Sequence, residues 1–233
     1  MVISHVHNYL FIELPRTGST AISRELIENY DGEQILRKHS TYRDFKKRYP
    51  DLVGHYFVFS CIRNPLDRVV SFYEKCTNGY YDYILAMKRK NTFYRRFYLL
   101  PKLRYIKKKH PSFETFFKRF YLFPYSDWSI LDHKSFDYII RFENLNTDFQ
   151  SALETIGIKS RRDLPVANKT KEKTKHFEEY FTDSIKKRAL FVFGPYLSVW
   201  DYRLPTEGDI LKNSYFWYEL INFFRKIYWI YKF

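Results

Sequence analysis

The first apolar run of the chain predicts a strand, loop and helix unit. Residues 9–14, YLFIEL, form a short apolar stretch that stops at Pro15. The turn PRTGST follows, and the residues after it predict a helix from about Ala21 to Tyr30. We therefore expect a buried strand that leads through a tight loop into a helix.

A second unit of the same kind follows. The apolar run YFVFSCI at residues 56–62 precedes Arg63-Asn64-Pro65, and a helix is expected from about Leu66 to Lys75. Proline suits the first turn of a helix, because the amide hydrogen that it lacks has no partner there. Strands joined through helices lie parallel in one sheet. The two units therefore predict an α/β fold with a central parallel sheet flanked by helices.

The amino-acid composition changes at two places in the remaining chain. Residues 80–135 are basic and rich in tyrosine, with a helix expected at residues 111–120, which indicates a helical insertion. A strand at 136–142 and a helix at 145–156 resume the core pattern. Residues 210–233, ILKNSYFWYELINFFRKIYWIYKF, predict an aromatic C-terminal helix that packs on the domain or lies in a membrane interface, where Trp, Tyr and Lys are favourable.

Length, composition and charge indicate the number of domains, the cellular location and the kind of partner. A chain of 233 residues with 45% hydrophobic residues predicts a single domain over residues 1–233. Two cysteines without CxxC spacing argue against a disulfide framework and against zinc. With no signal peptide and no membrane span recognisable, we expect a cytoplasmic protein, with peripheral contact at the inner membrane face as an alternative. The formal charge of +14 predicts attraction to polyanions.

The loop PRTGSTAIS carries the groups that bind an anion. Backbone N–H groups at a helix start, the hydroxyls of Ser19 and Thr20 and the cation of Arg16 all favour negative charge, and Gly18 allows close approach of a phosphate. Ordinary N-capping of the helix is the alternative. The Walker pattern GxxxxGK[ST] is absent, which disfavours a standard ATP or GTP loop.

The stretch Leu14-Pro15-Arg16-Thr17-Gly18-Ser19-Thr20 resembles the loop that holds the 5′-phosphosulfate in sulfotransferases that use 3′-phosphoadenosine-5′-phosphosulfate (PAPS). The family pattern is Pro-Lys/Arg-x-Gly-Thr/Ser-Thr, and Arg16 stands where many members carry lysine. The resemblance implies that Arg16, Thr17, Gly18, Ser19 and Thr20 bind PAPS. It also implies a catalytic role for Arg16, which would stabilise the departing 3′,5′-adenosine bisphosphate.

The second loop, CIRNPLDRVVSFYEK, places an arginine at a strand end and a hydroxyl on the next helix, and the two can close on one phosphate. A structural serine is the alternative. Arg63-Asn64-Pro65-x-Asp67-Arg68-x-x-Ser71-x-Tyr73 resembles the 3′-phosphate motif of the same family. The resemblance implies that Arg63 and Ser71 bind the 3′-phosphate of PAPS.

Later stretches extend the resemblance to roughly residues 9–202. FDYIIRFENLNTDF, LPVANKTK and FGPYLSVWDY are similar to segments of carbohydrate sulfotransferases, including bacterial and Golgi types. The resemblance implies a P-loop-like, three-layer α/β fold and a late basic loop over the nucleotide, for which Lys169 is the candidate. A solvated basic loop is the alternative for Lys169.

A general base is needed to remove the proton of the acceptor hydroxyl, and His39 in LRKHSTYRDF is the candidate, because imidazole titrates near neutral pH. Its setting resembles that of the catalytic histidine of heparan sulfate 2-O-sulfotransferase. Rival bases are Glu25, Glu28 and His55, and a surface histidine without a role is the alternative. The chemistry requires no metal.

These observations predict an O-sulfotransferase of bacterial or viral type that moves a sulfuryl group from PAPS to a carbohydrate. The acceptor is expected to be an oligosaccharide, polysaccharide or glycolipid. The insertion at 80–135 would supply cations for acidic groups and aromatic faces for sugar rings. A nucleic-acid or polyanion-binding module and a P-loop-like small-molecule kinase are the alternatives. Against the first, the specific motifs lie at strand-to-helix loops, where small anions bind.

Overall fold

The computed structural model describes residues 1–80, 95–124, 135–165, 175–202 and 211–231. The chain divides into two compact units, and each is described by itself. The first contains residues 1–64 and 135–165, and the second contains 65–80, 95–124, 175–202 and 211–231. A single domain stays a prediction.

The first unit is built on a five-stranded sheet with the order β3-β1-β2-β4-β5. The strands are β1 Val2–Ser4, β2 Tyr9–Ile12, β3 Glu33–Gln34, β4 Phe57–Ile62 and β5 Tyr138–Arg141. β4 lies parallel to β2 on one side and to β5 on the other, as the two strand, loop and helix units predicted. The predicted α/β fold is confirmed.

The sheet is mixed rather than wholly parallel. β1 pairs antiparallel with β2 and with β3. The connection from β1 to β2 is the tight turn at residues 5–8, which can only join antiparallel neighbours. β1 and β3 were not predicted, because strands of three and two residues show too little alternation to be recognised.

The described helices are α1 Ser19–Asn29, α2 Tyr42–Arg48, α3 Pro65–Lys75, α4 Leu100–Lys109, α5 Phe113–Phe120, α6 Leu145–Thr155, α7 Asp183–Val199 and α8 Leu211–Tyr231. Of these, α1, α2 and α6 belong to the first unit.

Both faces of the sheet are covered by apolar side chains in the first unit. On one face Phe11 and Phe59 pack with Leu26 of α1 and Phe149 of α6 in a buried cluster. On the other face Leu10, Ile12 and Val58 pack with Phe45 of α2. Successive strand residues point to opposite faces, so YLFI in β2 supplies both clusters. The first unit thus has three layers, with the sheet between helices.

The second unit contains helices and connecting loops, and no strand, in its described residues. Phe116 and Phe117 of α5 are fully buried and pack in one cluster with residues of α3, α4 and α7, including Phe193. The helix expected at residues 111–120 is α5, whose Ser112 side chain accepts a hydrogen bond from the N–H of Thr115. The C-terminal helix expected at 210–233 is α8.

None of the helices in the described ranges is both long enough and apolar enough to cross a membrane.

Candidate functional site

Three loops of the first unit meet at one edge of the sheet. β2 and β4 pair with Ile12 opposite Ser60, and β4 and β5 pair with Ile62 opposite Arg141. The carboxyl ends of these parallel strands therefore point in the same direction. The loop after β2, the Arg63 segment after β4 and the segment after β5 all start at this edge, where α/β sheets bind their ligands.

The loop after β2 takes a backbone conformation that requires glycine. Arg16 and Gly18 have positive φ angles of 66° and 82°, in the left-handed region. A Cβ atom on Gly18 would lie 3.1 Å from Phe142 Cδ2 and 3.2 Å from Leu145 Cδ2. A larger residue would therefore be strained by its φ angle and by its neighbours. Helix α1 begins at the next residue, Ser19.

The hydroxyls of this loop hold its shape and do not cap the helix. Thr17 Oγ1 and Ser19 Oγ both donate to the carbonyl of Leu14, at 3.0 and 2.7 Å. The N-cap of α1 is Gly18, and no side chain forms a capping hydrogen bond there. Ordinary N-capping by Ser19 or Thr20, the alternative considered above, is therefore not what this loop does. The first-turn amides of α1 face the end of the loop with the positive pole of the helix dipole, which favours an anion.

A buried cysteine supports the loop from β4. The thiol of Cys61 donates to the carbonyl oxygen of Thr17, with Sγ 2.7 Å away. Burial raises the pKa of the Cys61 thiol far above its usual value, so the thiol stays protonated and remains a donor. Cys61 therefore has a structural role that its position in an apolar run did not reveal.

Arg63 lies beside the loop and is held by the segment after β5. Its guanidinium lies 4.2 Å from the ring centroid of Phe142, and Nη1 lies 3.4 Å from the carbonyl oxygen of Arg16. The next residue, Asn64, donates its N–H to Glu143 Oε1 at 2.7 Å. Phe142 thus positions the Arg63 side chain, and Glu143 holds the backbone directly after Arg63. Their stretch of sequence resembles the family, but neither residue was among the predicted site residues.

His39 is tied to the residue that opens the loop. Its Nδ1 lies 3.1 Å from the carbonyl oxygen of Glu13. Because a carbonyl can only accept, Nδ1 carries the proton, and Nε2 of the neutral ring is left as the basic atom. Burial lowers the pKa of His39, and the Lys38 charge acts in the same direction, against opposing contributions from Glu13. The ring is therefore neutral at physiological pH.

Glu13 is itself fixed, which keeps the His39 ring in place. The carboxylate of Glu13 accepts hydrogen bonds from Ser23 Oγ at 2.8 Å and Gln34 Nε2 at 3.1 Å, and it pairs with the amino group of Met1. Burial opposes ionisation of this carboxyl group, but the bonds to it outweigh burial and hold its pKa below the usual value. Glu13 is a charged anchor rather than a proton acceptor.

Lys38 is a cation beside the loop after β2 that was not among the predicted site residues. Its Nζ donates to Thr20 Oγ1 at 2.9 Å. A cleft of about 280 Å³ beside this contact is lined by Thr20, Arg24, Glu28 and Lys38 among others. The position of Lys38 next to His39 in the chain is the one signal that could have pointed to it.

The rival bases lack the hydrogen bond to the start of the loop after β2 that His39 makes. Glu25 is fully buried and accepts hydrogen bonds from Arg162 and from Asn29, with Arg162 Nη2 at 2.8 Å. Glu28 lies 3.5 Å from the same arginine nitrogen and also lines the cleft beside Thr20, so it stays a rival of His39. His55 precedes β4, at the opposite edge of the sheet from the loops. Of the candidate bases, His39 has the contacts that link it to the loop after β2.

The positions of two further predicted residues relative to this group stay predictions. Ser71 is buried on α3, in the second unit, and its contact with the 3′-phosphate stays a prediction. Lys169 lies outside the described residues, so its contact with the nucleotide also stays a prediction.

Comparison with known proteins gives one match. The model of a family described as the sulfotransferase family matches residues 1–193, which include the three loops and His39. No curated protein sequence and no solved structure matches the chain.

Proposed function

Since the chain belongs to the sulfotransferase family and is a transferase of sulfuryl groups, we propose that its donor is PAPS and its acceptor a carbohydrate hydroxyl. The observation that carries the donor assignment is the loop from Arg16 to Thr20. Its two left-handed residues lead into a helix start without a side-chain cap, and the Arg16 carbonyl lies next to Arg63. Two anion-binding groups at neighbouring strand ends suit a nucleotide with phosphates at both ends.

In the proposed complex the 5′-phosphosulfate lies on the first turn of α1. The N–H groups of Gly18, Ser19 and Thr20 and the side chain of Arg16 bind its oxygens. Arg63 binds the 3′-phosphate, with Ser71 and Lys169 as the further contacts inferred from the family resemblance. The Phe142 ring lies against the Arg63 guanidinium and limits its movement before the donor binds. The Arg63 side chain therefore loses less conformational entropy on binding.

The proposed reaction is an in-line displacement at sulfur. His39 Nε2 accepts the proton of the acceptor hydroxyl while the hydroxyl oxygen forms a bond to sulfur. The bond from sulfur to the bridging phosphate oxygen breaks, and its electron pair leaves with 3′,5′-adenosine bisphosphate. Arg16 and Lys38 offset the charge that builds up on the departing oxygen. The products are a sulfate ester, the bisphosphate and a proton on His39.

The proposed acceptor is an oligosaccharide, polysaccharide or glycolipid. The cleft beside Thr20 offers a mixture of hydroxyl, cationic and carboxylate groups, which suits the hydroxyls and acidic groups of such a molecule. In the second unit, the described part of the insertion carries exposed Phe97 beside Arg96, and Arg119 over the Tyr105 ring, which are side chains of the kind that contact acidic groups and sugar rings. Both cysteines are free and buried, which fits the cytoplasmic location that we propose.

Thermal unfolding with 3′,5′-adenosine bisphosphate tests the donor assignment. A ligand present at 100 times its Kd stabilises the folded state by about 2.7 kcal/mol, so the melting temperature should rise. We expect 5′-AMP to give a much smaller rise, and Arg63→Ala to lose the difference between the two nucleotides. The control is Arg43→Ala, which removes an exposed arginine of α2 and should behave as wild type. No rise with the wild-type protein would contradict the proposal.

Lys38→Gln should move the acid limb of the pH profile to higher pH. The Lys38 charge disfavours the protonated form of His39, so its removal raises the pKa of the imidazole. At a pH below this pKa less of the ring is neutral and able to accept a proton. The rate of sulfuryl transfer at saturating PAPS, measured from pH 5 to pH 8, gives the position of the limb.

The matched control is Lys108→Gln, an exposed lysine of α4 in the second unit, which should leave the profile unchanged. An identical profile for Lys38→Gln and wild type would remove Lys38 from the mechanism while leaving the donor assignment intact.

A further inference from the structure

Helix α8 turns polar side chains toward the protein. Ser214, Tyr218 and Asn222 recur every four residues, so they share one face of the helix, and all three are buried. Ser214 Oγ donates to the carbonyl of Phe191 in α7, which shows that this face packs on α7. Asn222 Oδ1 is buried, and no hydrogen-bond partner for it exists in the described part of the chain.

The opposite face of α8 carries an exposed aromatic stripe. Phe216, Trp217, Phe223 and Phe224 are 65%, 42%, 57% and 60% exposed. At roughly 100° per residue their directions fall within a sector of about 120°. Leu220 and Ile227 lie in the same sector and are half-buried. We call these six residues the aromatic stripe.

A helix on the surface of a soluble domain buries its apolar stripe, whereas α8 leaves these aromatic side chains exposed and buries Ser214 and Asn222. Rotation of α8 by half a turn would bury the stripe, but the structure instead buries Ser214 and leaves Asn222 Oδ1 without a partner. A stripe of this size is unfavourable in water and indicates an apolar neighbour. The geometry points to a membrane as that neighbour: we propose that α8 lies in the surface of an anionic phospholipid bilayer, with the aromatic stripe inserted.

The charge of the protein favours a lipid surface over a second copy of the chain. The chain carries a formal charge of +14, so two copies repel each other, whereas an anionic bilayer attracts each of them. Lys187 and Arg188 are exposed on α7 within about one turn of Phe191, the residue that Ser214 contacts. Basic groups thus lie near the start of α8. Tryptophan and phenylalanine beside such cations are typical of a helix in a membrane interface.

Co-sedimentation of the full chain with lipid vesicles tests this proposal. We expect binding to vesicles of equal parts phosphatidylglycerol and phosphatidylcholine, and at least tenfold weaker binding to phosphatidylcholine alone. The variant Phe223→Ser/Phe224→Ser should bind anionic vesicles at least tenfold more weakly than wild type. Val6→Ser/Val53→Ser, which changes two exposed apolar residues of the first unit, is the matched control and should bind as wild type.

Quenching of tryptophan fluorescence by brominated lipid locates the contact without destabilising the helix. Trp217 lies in the stripe, so vesicles that contain brominated lipid should quench the wild-type protein more than Trp217→Phe, which keeps an aromatic ring at that position. Equal quenching of the two proteins would overturn the proposal even if the serine variant fails to fold.

Three further outcomes would also overturn it. Wild-type protein could stay in the supernatant with anionic vesicles, or the serine variant could bind them as well as wild type. The third outcome is that light scattering shows a wild-type dimer in the absence of lipid and a monomer for Phe223→Ser/Phe224→Ser. In that case the stripe belongs to an interface between two copies of the chain.

Discussion

His39→Asn is expected to lower kcat for sulfuryl transfer by about 10²- to 10⁴-fold, the range that a general base contributes. Asparagine is chosen because its side-chain NH₂ can replace Nδ1–H as the donor to the Glu13 carbonyl. It also tolerates the left-handed backbone at residue 39, where φ is 66°. The substitution therefore removes the basic Nε2 and little else. Affinity for 3′,5′-adenosine bisphosphate, measured by calorimetry, should stay near the wild-type value.

Glu25→Gln is the matched comparison for this prediction. The amide can keep hydrogen bonds with Arg162 and Asn29 but cannot accept a proton from the substrate. We expect kcat close to wild type once the temperature of the assay is set below the melting temperature of the variant. A large loss of kcat in Glu25→Gln together with normal turnover in His39→Asn would move the role of base from His39 to Glu25.

Arg16→Gln is expected to lower kcat by about 10²- to 10³-fold, as does removal of one group that stabilises transition-state charge in other enzymes. Its guanidinium is proposed to lie by the bridging oxygen, where negative charge grows as the bond to sulfur breaks. The measurement is kcat at saturating PAPS, so that weaker donor binding does not enter the comparison.

Arg16→Lys separates charge from backbone effects. Lysine restores the cation and must take the same left-handed conformation as glutamine at this position, where φ is 66°. It should recover most of the lost kcat, although one ammonium cannot reproduce a bidentate guanidinium contact. Equal losses in the two variants would show that the loop backbone, and not the charge, is what residue 16 contributes.

The central part of the first unit could be predicted from local sequence. The runs YLFIEL and YFVFSCI are apolar, short and bounded by proline, so their lengths and ends indicated strands of a buried sheet. Once two such strands are parallel, their following loops must share one edge. This is why Arg16 and Arg63 could be expected at one site before any contact between them was known.

The contacts that complete the site could not be predicted in the same way. Glu143 meets the N–H of Asn64, and Lys38 meets Thr20, across long stretches of chain. Local patterns carry no signal of pairing between distant residues. The same limit explains why Glu25 could stand as a rival base. Its partner Arg162 lies far along the chain, and the ion pair forms only when α1 packs beside that segment.

The C-terminal helix shows a different limit. Its sequence is apolar on all sides, so no direction could be assigned to it from periodicity alone. Packing of Ser214 against α7 fixes that direction. The contact between Ser214 and α7, rather than the sequence pattern of the helix, therefore determines which aromatic side chains are exposed to solvent.

The Phe142 ring lies beneath both proposed phosphate contacts. Its Cδ2 would lie 3.1 Å from a Cβ atom at residue 18, and its ring centroid lies 4.2 Å from the Arg63 guanidinium. One uncharged ring thus lies between the two groups that are proposed to bind the ends of the donor, and we expect it to set the distance between them. We therefore expect a polyanion of equal charge but different phosphate spacing to reach only one of these groups. On this expectation the site selects its ligand by the distance between two phosphates, even though the protein carries a formal charge of +14.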